Sequence, residues 1–336
     1  MTNLRGMLRK LGDVTVALPL AVALGLLAYV SYVASVRSSG PELLLILRHT
    51  WLLILILTIP YLAARALVWY ELLHQLGVRV AWRPMAVAFA GGEITKSFPA
   101  GVYVQNYLLS RLGHLGQSSA IRSTMATTAM LGLETLVALP ALLIVGIPGT
   151  PWLRETLVGI VVIWVIILMA AWVLVHYRQE HMGPGVPRWR RRLVEIAAEF
   201  LDSGGKLISF KTLRNVVPAA TYMLIYALEL YIIVRAVGVH RVSFVDVLGI
   251  YAAVVLAVIL VPIPTEIGIT EFAGLGALLN YGVPRATSAL IMLSLRLLGS
   301  GMTIVVAGLL LILLRRELGA LEQPPGSTER EEGSTA

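Results

Sequence analysis

The stretch FAGGEITKSFPAGVYVQNYLL, residues 89–109, interrupts an otherwise strongly apolar part of the chain. Glycines, a proline and polar side chains stand here, where a simple membrane span would carry uninterrupted leucine and valine. The polar residues are Glu93, Lys96, Gln105 and Asn106. Irregular backbone at membrane depth is tolerated only where protein buries it or a wet cavity surrounds it. The stretch therefore predicts a specialised polar site.

The composition of the chain defines its class. Hydrophobic residues make up 57% of the 336 positions and charged residues only 14%, which is more apolar surface than one soluble core of this size buries. Six runs approach or exceed the ~20 residues that cross the hydrocarbon layer as a helix. They cover residues 14–36, 43–69, 119–146, 153–177, 216–237 and 286–314. The sequence therefore predicts an all-α polytopic membrane protein.

The basic residues predict its orientation. With the N-terminus in the cytoplasm and one crossing per run, most arginines and lysines lie on the cytoplasmic side, many of them in the loop 178–215. This is the positive-inside distribution, and it predicts a protein of the cytoplasmic (inner) membrane with both termini in the cytoplasm. The net charge of +8 is thus mostly a topology signal. Contact with anionic lipid headgroups is its secondary interpretation, and the pattern predicts no nucleic-acid partner.

A second interrupted segment matches the first. VPIPTEIGITEFAG, residues 261–274, again joins proline, glycine and glutamate within an apolar region. The segments 84–112 and 244–279 each divide at their prolines into arms of which most reach only ~20–25 Å as helix. We expect two re-entrant helical hairpins, inserted from opposite sides as an inverted repeat, in addition to six crossings. The alternative is two kinked ordinary spans and eight crossings. The hairpin breaks are Pro99, Gly101, Pro262, Pro264 and Gly268.

Charged residues at membrane depth identify the candidate site. Each costs roughly 2.5–3.5 kcal/mol on insertion scales unless it is paired, neutralised or hydrated. Glu93 and Lys96 share a helical face, either as a self-neutralising pair or as the lining of a polar cavity. Arg296 is expected to pair with Glu266 or Glu271, either structurally or while it grips a phosphate. The predicted substrate-binding residues are Glu93, Lys96, Gln105, Asn106, Glu266, Glu271 and Arg296.

Other charges in the apolar runs are less informative. Glu134 and Glu229 are single carboxyls, each either protonated and silent or part of a proton path. Arg48, Arg65 and Arg235 lie near the ends of their predicted spans, where long basic side chains reach the interface. The positions of these three arginines therefore carry little information about a site.

Several chemistries find no support in the sequence. The chain has no cysteine, and its six histidines lack metal-ligand spacing, so we expect no metal site and no cofactor. No nucleophile and base stand together, so an enzyme is not expected.

We expect one transmembrane domain over residues 1–322, including the basic loop 178–215. That loop is either an interfacial helix or a solvated topology signal. The tail 323–336 is polar and is expected to be disordered.

The stretch from Val261 to Leu298 resembles the lysylphosphatidylglycerol synthase transmembrane-domain family, also called flippase-like. The matching features are Pro262 with Pro264, Gly268 with Glu271, Gly282-Val283-Pro284 and Arg296. In the first half the resemblance rests on Gly92-Glu93, Pro99 with Gly101, and the following YLLSRLG. Thr265 and Glu266 stand where members often have two glycines, and Val102 and Gln105 where they often have Glu and Arg. The resemblance implies a lipid-translocating domain without the soluble aminoacyl-transfer domain of the large members.

These observations together predict the translocation, or presentation, of a lipid with an anionic or polar headgroup across the membrane. The headgroup would occupy a wet groove between the two hairpins, and the acyl or isoprenoid chains would stay in lipid. Two alternatives come from other classes of protein. One is a proton-coupled transporter of small solutes. The other is a non-transporting membrane partner of a lipid-modifying enzyme or glycosyltransferase, for example in glycolipid or hopanoid synthesis.

Overall fold

The structure is a computed structural model that describes residues 40–98, 101–146, 210–260 and 266–314, together with single positions in 25–35, 159–173 and 195–207. The described chain is helical throughout, as predicted. Its helices are α1 (Gly40–Gln75), α2 (Trp82–Thr95), α3 (Val104–Leu112), α4 (Gln117–Val145), α5 (Phe210–Arg214), α6 (Val216–Ala236), α7 (Phe244–Leu260), α8 (Ile269–Asn280), α9 (Arg285–Leu295) and α10 (Gly301–Leu313). A short 3-10 turn, Gly101–Tyr103, precedes α3, and a π-helical turn, Arg296–Ser300, joins α9 to α10.

Four helical stretches are long and apolar enough to cross a membrane. They are Glu42–Gln75, Gln117–Val145, Lys211–Ala236 and Arg285–Leu313. They confirm four of the six predicted runs, and the chain is an all-α polytopic membrane protein. The other two runs, 14–36 and 153–177, lie outside the described residues except for single positions, as do the tail 323–336 and most of the loop 178–215. The total number of crossings stays a prediction.

Both interrupted segments form helical hairpins. α2 packs against α3, and α7 packs against α8. At 1.5 Å per residue, the 14 residues of α2 span ~21 Å and the 12 residues of α8 span ~18 Å. Both are shorter than the ~30 Å of a hydrocarbon core, which favours re-entrant hairpins over full spans. The predicted breaks Pro99, Pro262 and Pro264 lie outside the described residues.

The two described glycine breaks have separate physical reasons. A Cβ on Gly101 would lie 1.7 Å from the carbonyl oxygen of Thr95, so only glycine lets the chain return this closely past the end of α2. Gly268 has a φ of +78°, a left-handed conformation that favours glycine. Its N–H donates to the Glu271 carboxylate at 2.6 Å, which satisfies a free amide at the start of α8.

Buried apolar residues form two main clusters. One surrounds the first hairpin and includes Trp69, Leu72 and Phe89, while the other surrounds the second hairpin and includes Ile54 and Leu278. Along α1, Ile54 and Trp69 are 15 residues apart, or ~22 Å, so the two clusters lie at different levels along this helix. The tips of the two hairpins meet, because the N–H of Ile267 donates to the carbonyl oxygen of Ser97 at 3.3 Å. Polar side chains occupy the layer between the two clusters.

Candidate functional site

The first hairpin places two predicted site residues against α1. Lys96 Nζ lies 3.0 Å from Glu93 Oε2, and Arg65 Nε lies 2.8 Å from Glu93 Oε1. The predicted pairing of Glu93 with Lys96 is therefore confirmed, and one carboxylate is shared by two cations. Lys96 also donates to the hydroxyl of Tyr61 at 3.0 Å. All four side chains are buried.

The sequence-based interpretation of Arg65 was wrong. Arg65 is only 7% exposed and does not reach toward an interface. The helix continues to Gln75, six residues beyond the predicted end, so Arg65 lies ten residues, or ~15 Å, inside it. At that depth the guanidinium requires acidic partners. It is a principal member of the site.

Arg65 connects the first hairpin to α4 and α6. Its Nη1 lies 3.1 Å from Glu134 Oε1 and donates to the Tyr61 hydroxyl at 3.1 Å. The Tyr222 hydroxyl donates to the same Glu134 oxygen at 2.9 Å. Glu134, which stands alone in the sequence of its helix, is thus paired in the fold. Tyr61 and Tyr222 complete the site, although nothing in their local sequence marks them as polar partners.

The second hairpin is held by Arg296. Its Nε donates to the Glu271 carboxylate, and one Nη2 hydrogen goes to the main-chain oxygen of Glu266 at 2.6 Å. Nη1 donates to the Ser97 hydroxyl at 3.2 Å and to the Ser300 hydroxyl at 3.1 Å. The predicted partners of Arg296 are therefore confirmed. Because Ser97 belongs to the first hairpin, this guanidinium joins the tips of both hairpins.

Glu266 lies between the two halves of the network. Its Oε1 is 3.9 Å from Lys96 Nζ, and its Oε2 is 3.9 Å from Arg296 Nη1. These are the longest contacts among the described central ion pairs, and the Glu266 side chain is 26% exposed while that of Glu271 is fully buried. Glu266 is the carboxylate that water reaches most easily.

The network contains more carboxylates than cations. Arg65, Lys96 and Arg296 face Glu93, Glu134, Glu266 and Glu271. Each cation already has at least one acidic partner, so an incoming anion has to compete with a carboxylate. Such pairing offsets most of the cost of charge at this depth.

A cavity borders this network. Its volume is about 70 Å³, and its polar lining includes Arg65, Lys96, Glu134 and Glu266. Apolar side chains of α7, among them Val254 and Val258, form another wall. A water needs roughly 10–15 Å³ of such space together with polar partners, so the cavity accommodates a few waters. The charged groups are paired with one another and still border a space that water can enter.

Two predicted site residues stand apart from the charged network. Gln105 Nε2 donates to the Thr127 hydroxyl at 2.8 Å, and that hydroxyl donates to Asn106 Oδ1 at 2.9 Å. These bonds join α3 to α4. A Cβ on Gly92 would lie 2.6 Å from the Gln105 Cβ, so Gln105 also packs closely on α2. In this position Gln105 and Asn106 attach the first hairpin to α4. Their predicted role in substrate binding stays a prediction.

Glu229 lies beside the network and makes no ion pair with a described cation. It is 1% exposed, its Oε1 accepts a long hydrogen bond of 3.4 Å from Thr58, and its Oε2 has no hydrogen-bond partner among the residues that the structure describes. The π-helical turn that follows Arg296 passes close by, because a Cβ on Gly299 would be 3.3 Å from Glu229 Oε2. π-helical turns recur at functional sites.

Metal ligation is not supported where the structure describes the chain. In those ranges no three His, Asp or Glu side chains are grouped so that they could hold a metal ion. The arrangement instead provides buried cations, carboxylates and a small polar cavity at the meeting point of two broken helices. Such a site suits the handling of a charged or zwitterionic group within the membrane.

Residues 16–315 match the family model described as the lysylphosphatidylglycerol synthase TM region. This match covers most of the chain, so the protein belongs to that family, as its proline, glycine and glutamate pattern predicts. A search of curated proteins finds no match. The family places the chain among lipid-related membrane proteins.

Proposed function

We propose that this protein moves a lipid with a phosphate-bearing polar headgroup across the cytoplasmic membrane, or presents that headgroup, through the polar layer between its two hairpins. The observation that carries the proposal is the position of Glu266, whose carboxylate lies 3.9 Å from both Lys96 and Arg296. Membership of a lipid-related family supports the choice of a lipid as the membrane partner.

The headgroup phosphate would replace the Glu266 carboxylate. A phosphate oxygen and a carboxylate oxygen accept the same charge-assisted hydrogen bonds, and Lys96 and Arg296 already face one shared anion. Glu266 is the partly exposed member of the network, so its side chain can leave without burying an unpaired charge. Arg296 would keep its bonds to Glu271 and to the main-chain oxygen of Glu266 throughout.

The cavity volume implies a conformational step. At about 70 Å³ it admits a few waters, whereas drug-sized ligands occupy pockets of ~300–1,000 Å³. The tips of the hairpins therefore have to separate for a headgroup to enter. Among the described residues, the tips are joined by the hydrogen bond from Ile267 to Ser97 and by the hydrogen bonds of Arg296. Exchange of the headgroup for Glu266 would couple binding to that opening.

Reconstitution in liposomes tests the proposal. Fluorescent phospholipids and polyprenyl-phosphate sugars are followed by their accessibility in each leaflet, and the protein is expected to accelerate exchange for at least one of them over empty liposomes. Lys96→Gln should slow that exchange roughly tenfold or more, because it removes a buried charged contact. Arg48→Gln removes an exposed charge from the same helix as Arg65 and should leave the rate unchanged. No acceleration for any lipid would overturn the proposal.

A substitution at Glu266 gives a second test, in which the expected result is a gain and so cannot be caused by misfolding. Glu266→Gln keeps the main-chain oxygen that Arg296 uses and removes only the competing carboxylate charge. Retention of a phosphate-bearing lipid by the purified protein should rise. Unchanged or weaker retention by a correctly folded Glu266→Gln protein would contradict the exchange mechanism.

One observation favours a second candidate function, proton-coupled transport of a small solute. Glu229 is buried beside the network with one oxygen unpartnered, a position where a carboxyl can take up and release a proton. Glu229→Gln would then abolish pH-driven solute uptake into proteoliposomes while leaving lipid exchange intact. Loss of lipid exchange with no effect on any solute would speak against this candidate.

A further inference from the structure

A second pocket lies at the junction between the end of α1 and the start of α6. Its volume is about 950 Å³, within the range of sites that hold small ligands. It is separate from the central cavity, because Leu67, Glu71 and His74 line it from α1 while Arg65 and Trp69 lie on the inward face of that helix. Two residues turn an α-helix by ~200°, so Leu67 lies on nearly the opposite side of α1 from Arg65.

The lining of this pocket is strongly basic. Lys206, Lys211 and Arg214 contribute to it, against a single carboxylate from Glu71. Lys206 pairs with Asp202 at 2.6 Å, whereas Lys211 and Arg214 form no ion pair within the ranges that the structure describes. The region belongs to the loop whose basic residues predict a cytoplasmic position. Basic pockets between membrane helices on that side bind anionic headgroups.

Two amides add hydrogen-bond donors to this positive field. Asn215 lines the pocket and is only 5% exposed, yet its Nδ2 has no hydrogen-bond partner in the part of the chain that the structure describes. An orphaned buried donor is costly unless a ligand satisfies it. Gln75 also lines the pocket, and its Oε1 accepts from Thr212 at 2.8 Å, so only its amide nitrogen stays available to a ligand.

Asn215 lies where the helical stretch from Lys211 to Ala236 passes from α5 to α6. The Asn215 amide donor and two cations that lack an ion pair among the described residues together favour an anionic group with several acceptor atoms. A phosphate has that chemistry.

The opposite wall of the pocket is apolar and exposed. Leu67 is 50% exposed and Val217 is 71% exposed, and Pro218 lies beside them. Exposed apolar side chains next to a basic pocket at a predicted membrane surface fit an acyl chain on one side and a headgroup on the other. Soluble phosphate would make no use of this wall.

We propose that this pocket is a phosphate-binding site for an anionic membrane phospholipid, distinct from the central polar layer and independent of what the central layer transports. Lys211 and Arg214 neutralise the phosphate, and Asn215 donates to it. Leu67 and Val217 contact the acyl chains.

Native mass spectrometry of the full chain tests the site. The protein is released from nanodiscs of phosphatidylcholine that contain a minor fraction of phosphatidic acid, and bound lipid is counted. One phosphatidic acid should be retained in preference to phosphatidylcholine. Arg214→Gln should weaken that retention roughly five- to tenfold, from the contribution of one basic residue near the membrane surface. Arg111→Gln, which removes an exposed arginine outside the pocket, should leave retention unchanged.

Two further variants separate the pocket from general surface attraction. Asn215→Asp preserves side-chain shape, but it places a carboxylate where the donor stood, so retention should be lost. Glu71→Gln removes the acidic member of the lining and should strengthen retention. Equal effects of Arg214→Gln and Arg111→Gln, or wild-type retention in Asn215→Asp, would overturn the proposal.

Competition with inorganic phosphate distinguishes a lipid ligand from a soluble phosphate compound. Because it cannot contact Leu67 and Val217, millimolar inorganic phosphate should fail to displace the retained phosphatidic acid. Full displacement would assign the pocket to a soluble phosphate compound and overturn the lipid assignment. The part of the retention that Arg214→Gln removes depends neither on leaflet exchange nor on Glu266, so this result and failure of the central transport proposal are read independently.

Discussion

Arg65 and Glu93 form a buried ion pair in which Nε and Oε1 are 2.8 Å apart. The pair fixes the first hairpin to the middle of α1. Because Arg65 also reaches Glu134, loss of Arg65 leaves the buried Glu134 carboxylate without its cationic partner. The stability of the hairpin and the chemistry of the site therefore depend on the same contact.

Replacing Arg65 should destabilise the fold strongly. In Arg65→Gln, Glu134 loses its cation and Glu93 keeps only Lys96, and breaking a buried pair costs ~3–5 kcal/mol. The measurement is thermal unfolding of the purified protein in detergent, where a clear fall in midpoint is expected. Arg48→Gln is the matched control, since Arg48 is exposed on the same helix. Similar midpoints for both variants would show that the Arg65 network adds no stability.

The sequence was most informative where the interacting residues are close along the chain or carry an obvious charge. The three-residue spacing predicts the Glu93–Lys96 pair, and Arg296 is predicted to pair with Glu266 or Glu271 because both lie on the hairpin that precedes it. Arg65 was missed because its depth depends on where α1 ends. The uninterrupted apolar run ends at Trp69, whereas the buried face formed by Leu72 and Leu73 carries the helix on to Gln75. Its four-residue spacing to Tyr61 and Trp69, both buried, was the available signal.

The positions of Gln105 and Asn106 could not be predicted from the sequence either. Their polarity within an apolar segment predicted a place in the binding site, but polarity does not determine which helix face meets which neighbour. The close contact of Gln105 with Gly92 turns α3 so that these amides meet Thr127 on α4. Only the packing of α2, α3 and α4 together determines that outcome.

The two acidic partners of Arg296 should respond differently to the same substitution. Glu271 is fully buried and accepts hydrogen bonds from both Arg296 and the Gly268 amide. In Glu271→Gln one of the two acceptor oxygens becomes an NH2 group, which cannot accept either hydrogen bond. A loss of ~2–4 kcal/mol in unfolding free energy is expected. Glu266→Gln should cost under ~1 kcal/mol, because that side chain is partly exposed and more distant. Unfolding in increasing denaturing detergent gives both values, and the reverse order would contradict this arrangement of the hairpin tips.

Gly101 should be intolerant of even one methyl group. A Cβ there would lie 1.7 Å from the Thr95 carbonyl oxygen, and the contact cannot relax without moving backbone at the hairpin turn. Gly101→Ala is expected to reduce the yield of folded protein and to lower the unfolding midpoint. Gly132→Ala is the control: its Cβ meets nothing within 4 Å, and alanine in a helix is favoured by ~0.5–1 kcal/mol. Equal tolerance at both positions would mean that the turn adopts another path.

A surface contact should give the protein a modest acid sensitivity. Glu199 accepts hydrogen bonds from Arg122 at 2.7 Å and from Ser118 at 2.9 Å, and the Arg122 guanidinium lowers the pKa of this carboxyl below its usual value. A carboxyl with a lowered folded-state pKa stabilises the fold above its unfolded pKa of ~4.3, and that contribution disappears as the pH falls through the folded-state pKa. Because Glu199 is near the surface, the contribution should stay below ~1 kcal/mol and decrease with salt.

Limited proteolysis of the 178–215 loop should accelerate below about pH 4 in the wild type, and Glu199→Gln should show the faster cleavage already at neutral pH. Identical cleavage of the two proteins at neutral pH would show that Glu199 does not hold this loop against α4.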